Sequence, residues 1–149
     1  MPTEPEPAMS EVDDFLDEML SKQVAAERAI HEGDVEPRLA IWSRNDPVTL
    51  FGAAVPVRSG WPEVSRTFHW VASRFSESVD YRFEVVAAGA SGDLAYTIGF
   101  EHNTVRVNGE MTTYTLRATH VYRREDGEWR IVHRHGDPVP EDQEPRVNP

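Results

Sequence analysis

The fold class is decided by residues 119–135, which read THVYRREDGEWRIVHRH. On both sides of Asp126-Gly127, β-branched and aromatic residues alternate with polar ones. An Asp-Gly pair between two such runs is typical of a tight β-hairpin. A three-residue loop, Glu125–Gly127, would bring His120 opposite Val132 on the partner strand. The segment therefore predicts a hairpin, with His120 on its first strand.

The same alternation extends toward the N-terminus. Asn108-Gly109 and Ser91-Gly92-Asp93 are turn signals between β-rich runs, so each separates two neighbouring strands. The four strands predicted in this way are Tyr81–Ala87, Leu94–Arg106, Met111–Arg124 and Trp129–His135. Together they form an antiparallel meander.

Three helices are predicted before the meander. The first begins at Ser10, a good N-cap residue, and ends at Gly33. The second follows Asp34, and the third begins at Pro62 and continues with apolar residues at helical spacing. A short strand, Val48–Phe51, lies between them. Helices followed by a meander indicate an α+β domain whose helices cover one face of the sheet.

The composition favours one domain with acidic ends. The chain has 149 residues, no cysteine and a net charge of −11, and a chain of this length normally builds one core. Residues 1–18 carry seven acids and no base, and residues 137–149 carry four acids and one base. We expect disordered tails at 1–9 and 138–149 around a domain at 10–137. Acidic ends disfavour nucleic-acid and membrane partners, and no targeting segment is recognisable, so a cytoplasmic location is predicted.

The order of elements resembles the nuclear transport factor 2-like superfamily, which includes ketosteroid isomerases, SnoaL-like polyketide cyclases and the association domain of calcium/calmodulin-dependent kinases. Residues 119–135 look like the last hairpin of the kinase association domain and its SnoaL-like bacterial relatives. Gly33-Asp34-Val35-Glu36 resembles the break between the first two helices of ketosteroid isomerase. The resemblance covers residues 10–137. It implies a cone-shaped, cystatin-like α+β roll: three N-terminal helices on a strongly curved, mainly antiparallel sheet, with a pocket and commonly a homodimer.

The resemblance also allows the isomerase chemistry to be tested. In ketosteroid isomerase the acidic base lies on the short strand after the second helix. The matching strand here, Val48–Gly52, has no carboxylate, and the place of the isomerase tyrosine falls near Ala26. The isomerase chemistry is therefore not expected here.

The kinase resemblance places the positions of His120 and Ile98 inside the pocket, where the kinase domain has arginines. With strand alternation, this predicts His120 as a catalytic residue and six ligand-binding residues: Trp42, Tyr96, Ile98, Phe100, Tyr114 and Arg134. A purely structural role stays open at each position. His120 is also consistent with a hydrogen-bonded core histidine, the aromatic residues with core packing, and Arg134 with a surface residue paired to an acid.

The opposite face of the hairpin is predicted to form the homodimer contact. Its residues are Arg117, Val121, Trp129, Ile131, His133 and His135, and their apolar members form a strip that a monomer would leave uncovered. His133 and His135 share this face, but no third ligand is fixed by the sequence, so no metal site is predicted. Four isolated acids on strands are expected to be solvated: Asp80, Glu84, Glu101 and Glu110.

Two classes of function are consistent with these patterns. The first is a small-molecule-binding domain that acts, without a cofactor, as an acid/base enzyme on a small carbonyl or polycyclic compound. In that case His120 transfers the proton, Tyr96 or Tyr114 donates a hydrogen bond to a developing oxyanion, and Arg134 holds an anionic group. The second is a non-catalytic association module whose purpose is the homodimer.

Overall fold

The computed structural model describes residues 10–53 and 55–140. In chain order the elements are α1 Glu11–His31, α2 Glu36–Ile41, β1 Thr49–Phe51, β2 Arg58–Ser59, α3 Trp61–Arg74, β3 Phe75–Ser91, β4 Leu94–Val107, β5 Glu110–Glu125 and β6 Glu128–Pro138. The predicted tail at 1–9 lies outside the described residues, as does 141–149 of the second tail. Pro138 still belongs to β6, and the amide of Val139 donates to the carbonyl of Thr115.

Helix α1 begins and ends where its sequence indicates. The Ser10 side chain accepts a hydrogen bond from the amide of Asp13, which satisfies one of the free N–H groups of the first turn. After the helix, Gly33 adopts a φ of 89°, a conformation that favours glycine. The apolar face of α1 is buried and consists of Phe15, Met19, Ala26 and Ile30.

Six strands form one sheet in the order β2-β1-β6-β5-β4-β3. The four long strands pair antiparallel with their neighbours in sequence, as the meander predicted, while β1 runs parallel to β6. Register shifts in β3 and β6 mark bulges, which increase the local twist and curve a sheet. The three helices pack on the concave face. The predicted α+β cone is confirmed.

The β5–β6 hairpin differs from the predicted register. Its loop has two residues, Asp126 and Gly127, with φ values of 51° and 78°, because a two-residue turn with two positive φ angles matches the twist of the paired strands. Val132 then forms a bulge, since Tyr122 pairs with Ile131 and Val121 pairs with His133. His120 therefore faces Arg134 and not Val132.

The bulge moves two predicted interface residues into the core. Between the turn and the bulge, Trp129 and Ile131 point to the concave face and are only 5% and 1% exposed. Trp129 packs edge-on against Phe15 of α1 at 5.2 Å between ring centroids. The predicted apolar strip on the outer face is therefore wrong for these two residues. The bulge adds one residue, so the alternation changes phase and Arg134 also points inward.

The core fills the narrow part of the cone. It joins α1 to β5 and β6, and α3 to the segment after α2, where Trp42 packs edge-on against Phe68 at 4.9 Å. In the described part of the chain, no helix is long and apolar enough to cross a membrane. The predicted cytoplasmic location stays a prediction.

Candidate functional site

A cavity of about 740 Å³ lies between the helices and the concave sheet face. Its apolar walls include Ile30, Leu50, Phe68, Val71, Phe75, Val107 and Leu116. The polar side chains that line it include Glu27, His31, Arg38, Glu101, Tyr114 and Arg134. A cavity of this size with apolar walls and a few convergent polar groups is typical of a small-molecule site.

Glu27 and Arg38 form a buried ion pair at one side of the cavity. They come from α1 and α2, which the break at Gly33 brings together, and the Arg38 guanidinium lies 4.9 Å from the centre of the Phe68 ring. Burial acts to raise the pKa of Glu27. The positive charges of Arg38 and Arg134 outweigh it and hold that pKa well below its usual range. Glu27 is therefore ionised.

The second buried ion pair of the cavity is a bidentate pair between Arg134 and Glu101. Nη2 of Arg134 donates to Oε1 of Glu101 at 2.5 Å, and Nη1 donates to Oε2 at 3.0 Å. The hydroxyl of Tyr81 donates to the same Oε2 at 2.6 Å. Burial acts to raise the pKa of Glu101, but Arg134 lowers it below its ordinary value. The expectation that Glu101 is solvated is wrong, because it is 1% exposed and faces the cone.

His120 lies behind Arg134 and is completely buried. Nη1 of Arg134 donates to its Nε2 at 3.0 Å, so the ring proton belongs on Nδ1. Burial and the adjacent Arg134 charge lower the pKa of His120 to about 3, which makes the ring neutral at physiological pH. The residue is on the concave face, where the sequence placed it. It does not line the cavity, and Arg134 connects it to the cavity wall.

His31 and Tyr114 form a polar pair on the cavity wall. Nδ1 of His31 donates to the carbonyl of Glu27, one turn earlier in α1, at 2.5 Å. Nε2 is then unprotonated and accepts a hydrogen bond from the Tyr114 hydroxyl at 3.2 Å. Burial lowers the pKa of His31 and raises that of Tyr114 to about 12. The pair therefore presents a neutral base and a hydrogen-bond donor at neutral pH.

The structure brings only part of the predicted pocket together. Tyr114 and Arg134 line the cavity, and Trp42 is buried in the core beside it. Tyr96, Ile98 and Phe100 lie on the outer face of β4, where they pair with Val121, Thr119 and Arg117. Their predicted orientation is corrected because the alternation of β4 turns Thr97 and Glu101 inward instead.

Four residues of the site were not predicted: Glu27, His31, Arg38 and Glu101. The sequence does contain a signal for the first two. Glu27 and His31 are four residues apart on the apolar face of the first helix, where ionisable residues must find partners when buried. Glu101 follows Thr97 at even spacing along its strand, so it shares the inward face.

One group of possible metal ligands occurs among the described residues: atoms of Glu27, Glu101 and His120 lie within 4.8 Å of one another. The Arg134 guanidinium reaches all three side chains, at 3.7 Å from Glu27 Oε1 and closer to the other two. A fixed positive charge therefore takes the place that a metal cation would need in this group.

Comparisons with known proteins agree with this architecture. The family model of the SnoaL-like domain matches residues 23–140. A search of curated proteins finds no significant match. Among solved structures, a proposed dehydratase of the nuclear transport factor 2-like family from Streptomyces avermitilis has 22% identity and a TM-score of 0.69, covering 85% of this chain and 97% of its own.

Two further structures are similar to the same extent. A proposed calcium/calmodulin-dependent protein kinase type II association domain from Thiobacillus denitrificans has 21% identity and a TM-score of 0.69, covering 82% of this chain and 95% of its own. A nuclear transport factor 2-like protein from Salmonella enterica has 18% identity and a TM-score of 0.69, with 87% and 92% coverage. At these identities the likeness shows the fold alone.

Proposed function

Because the chain belongs to the SnoaL-like domain family, we propose that it binds a small carbonyl compound in its cone and transfers a proton without a cofactor. The proposal is carried by one observation: the neutral His31 imidazole and the Tyr114 hydroxyl meet at 3.2 Å on the wall of the cavity. His31 is the base in this proposal, and Tyr114 is the hydrogen-bond donor to the carbonyl oxygen. The one hydroxyl proton of Tyr114 is donated to His31 Nε2 in the free protein. The carbonyl oxygen of the ligand takes over this hydrogen bond, which frees the Nε2 lone pair for the proton beside the carbonyl.

The environment of His31 suits a base. A general base works best when it is unprotonated at the working pH and its lone pair is directed at the substrate. The Glu27 carbonyl fixes the tautomer, and burial keeps the ring neutral. The ring is also packed against Phe75, 4.7 Å away between centroids, which restricts its rotation.

Tyr114 is suited to stabilise an enolate oxygen. Abstraction of a proton beside a carbonyl puts negative charge on that oxygen, and a preorganised donor in an apolar cavity stabilises this charge more than water-exposed donors do. Burial raises the Tyr114 pKa to about 12, so the hydroxyl keeps its proton. The name of the Streptomyces avermitilis protein, a proposed dehydratase, agrees with acid/base chemistry of this type.

Hydrogen exchange tests the proposal. In D2O, the methyl protons beside the carbonyl of 2-acetonaphthone should exchange faster with the protein than with buffer, as followed by proton NMR. His31→Gln should remove about 10²-fold or more of the acceleration, because the positioned base is lost. Its matched control is His69→Gln, an exposed histidine of α3, which should leave the rate unchanged. No acceleration, or equal rates in both variants, contradicts the proposal.

The role first predicted for His120 is modified in this proposal. Because His120 contacts Arg134 and not the cavity, it acts by positioning that guanidinium. Trp42 supports the inner wall. Tyr96, Ile98 and Phe100 have no place at the ligand, since they lie on the other face of the sheet.

A homodimer through the outer face is the second candidate, and one observation favours it. Tyr96 and Ile98 are 43% and 40% exposed on the outer surface of β4, so the sheet presents apolar side chains to solvent. Arg117, Val121, His133 and His135 share that face. We propose this face, without Trp129 and Ile131, as the dimer contact. It is compatible with a ligand in the cone.

Sedimentation equilibrium tests the dimer. Ile98→Glu should produce a monomer, because the charge would be buried without a partner. Val79→Glu is a control, because Val79 is exposed at the start of β3, away from the Tyr96 and Ile98 positions. A wild-type protein that is monomeric at micromolar concentration contradicts the dimer.

A further inference from the structure

Resting on the proposed function, we infer that the ligand of the cone carries a carboxylate and that the free edge of the Arg134 guanidinium binds it. The acid/base proposal requires only a carbonyl group. The carboxylate is a second group on the ligand, and Arg134 is the residue that recognises it.

Arg134 has N–H groups that no residue of the site uses. A guanidinium has five N–H groups. Glu101 accepts one from Nη1 and one from Nη2, and His120 accepts the other from Nη1. Two N–H groups are left, one on Nε and one on Nη2. They point in parallel from the same edge of the planar group, and no other described residue accepts from them.

The orientation of that edge is fixed. Glu101 holds the end of the guanidinium with two hydrogen bonds, and His120, in its neutral state, can only accept from Nη1. The bulge at Val132 is what turns the Arg134 side chain to the concave face. The guanidinium therefore cannot rotate to present another edge to the cavity without breaking these three hydrogen bonds.

The edge has space beside it. Gly136 follows Arg134 on the same face of β6, and both residues line the cavity. A Cβ at position 136 would lie 3.0 Å from Nη2, 3.4 Å from Cζ and 3.5 Å from Nε of Arg134. Because glycine has no Cβ, this side of the guanidinium stays uncovered toward the cavity.

The free edge also decides the chemistry of its partner. Two parallel N–H groups match the two oxygens of a carboxylate, and an arginine–carboxylate pair of this geometry is stronger than two neutral hydrogen bonds. The apolar walls suit a hydrocarbon or aromatic body. Arg74 and Glu110 also line the cavity, so three arginines and three glutamates balance on its wall. The uncovered edge of Arg134, and not a surplus of positive charge, therefore selects the carboxylate. The ligand class is an apolar carboxylic acid.

Three naphthalene compounds separate this inference from the proposed function. They share one ring system and differ in the head group: 2-naphthoate, 2-naphthamide and 2-acetonaphthone. Binding to the full chain is measured by titration calorimetry at constant ionic strength. We expect 2-naphthoate to bind at least about tenfold more tightly than 2-naphthamide. Arg134→Lys keeps the positive charge but loses the two parallel N–H donors. In this variant the preference for 2-naphthoate should disappear, while 2-acetonaphthone binds as before.

Gly136→Ala is the second variant, since its methyl group would crowd Nη2, Cζ and Nε of Arg134 without removing a charge. It should also abolish the preference for 2-naphthoate, with thermal unfolding used to verify that both variants are folded. Equal affinities of naphthoate and naphthamide for the wild type, or an unchanged preference in both variants, overturn the inference alone. Failure of all three compounds to bind at millimolar concentration overturns the inference and the small-molecule proposal together.

Discussion

The imidazole Nε2 of His31 and the hydroxyl of Tyr114 lie 3.2 Å apart, although 83 positions separate the two residues in the chain. One comes from the last turn of α1 and the other from the first third of β5. They meet because α1 packs across the concave face of the sheet and ends where the cone opens. This contact makes His31, and not His120, the base with access to the cavity.

The pH dependence of the exchange reaction should report the His31 pKa. Burial lowers this pKa below its ordinary value of 6.5, so the unprotonated form persists at more acidic pH than for a solvated histidine. The rate should be constant above neutrality and fall only below pH 6.5. Tyr114→Phe removes the hydroxyl that donates to Nε2 and should lower the plateau. A half-maximal rate at pH 6.5 or above would contradict a buried base.

His120 should make the folded protein less stable as the pH falls. Its pKa is about 3 in the folded chain and 6.5 when solvated, so the unfolded chain binds one more proton between these values. The free energy of unfolding should decrease by up to about 1.4 kcal/mol per pH unit through this group. The direction follows because stability rises with pH wherever the unfolded state binds more protons.

His120→Gln is the variant that checks this slope. A glutamine oxygen can still accept from Arg134 but does not titrate, so its urea-unfolding free energy should vary less between pH 6.5 and 4.5 than that of the wild type. His31 titrates in the same interval and stays in both proteins, so the difference isolates His120. Identical slopes in the two proteins would mean that His120 is solvated when folded.

The strand register shows how far the sequence could predict this site. Side chains do alternate between the two faces on each side of Val132, as predicted. The bulge shifts this alternation by one residue, so a single uninterrupted pattern wrongly places Ile131 on the outer face. A bulge depends on how the strand fits the curved sheet, which a local pattern does not record. The helices and the other turns contain their own signals, such as Ser10, Gly33 and Asn108-Gly109, and these could be predicted.

The face of β4 was missed for a different reason. The prediction followed large side chains and the resemblance to the kinase domain, whereas the inward face of β4 carries small and polar residues such as Ala95, Thr97 and Gly99. At Gly99 the neighbouring strand comes so close that a Cβ would lie 2.1 Å from the carbonyl oxygen of Glu84. In a strongly curved sheet the concave side has the least room, so size is a poor guide to orientation.

Loss of a buried ion pair should lower the free energy of unfolding more than loss of an exposed one. Arg134→Met would leave the buried carboxylate of Glu101 without its partner, and loss of one member of a buried pair costs about 3–5 kcal/mol of unfolding free energy. Arg117→Met is the matched control. It breaks a two-pronged pair with Asp137, but that arginine side chain is 52% exposed, so water replaces the lost contact. Equal losses of stability would show that the Glu101 site is hydrated.

Deletion of Val132 gives the sharpest test of the bulge. Tyr122 already pairs with Ile131 and Val121 with His133, so removing the residue between them should produce a regular ladder in which Arg134 still points inward. We expect a folded protein that loses about 1.5–3 kcal/mol for the buried valine side chain and keeps the Arg134 contact with Glu101. Deletion of Arg130 is the control. It shifts the phase between the turn and Ile131, so either Trp129 or Ile131 must leave the core, and this variant should unfold or aggregate. If the two deletions are equally damaging in chemical denaturation, or if Val132 deletion turns Arg134 to the outer face, Val132 is not the extra residue that lets Ile131 and Arg134 face the same side of the sheet.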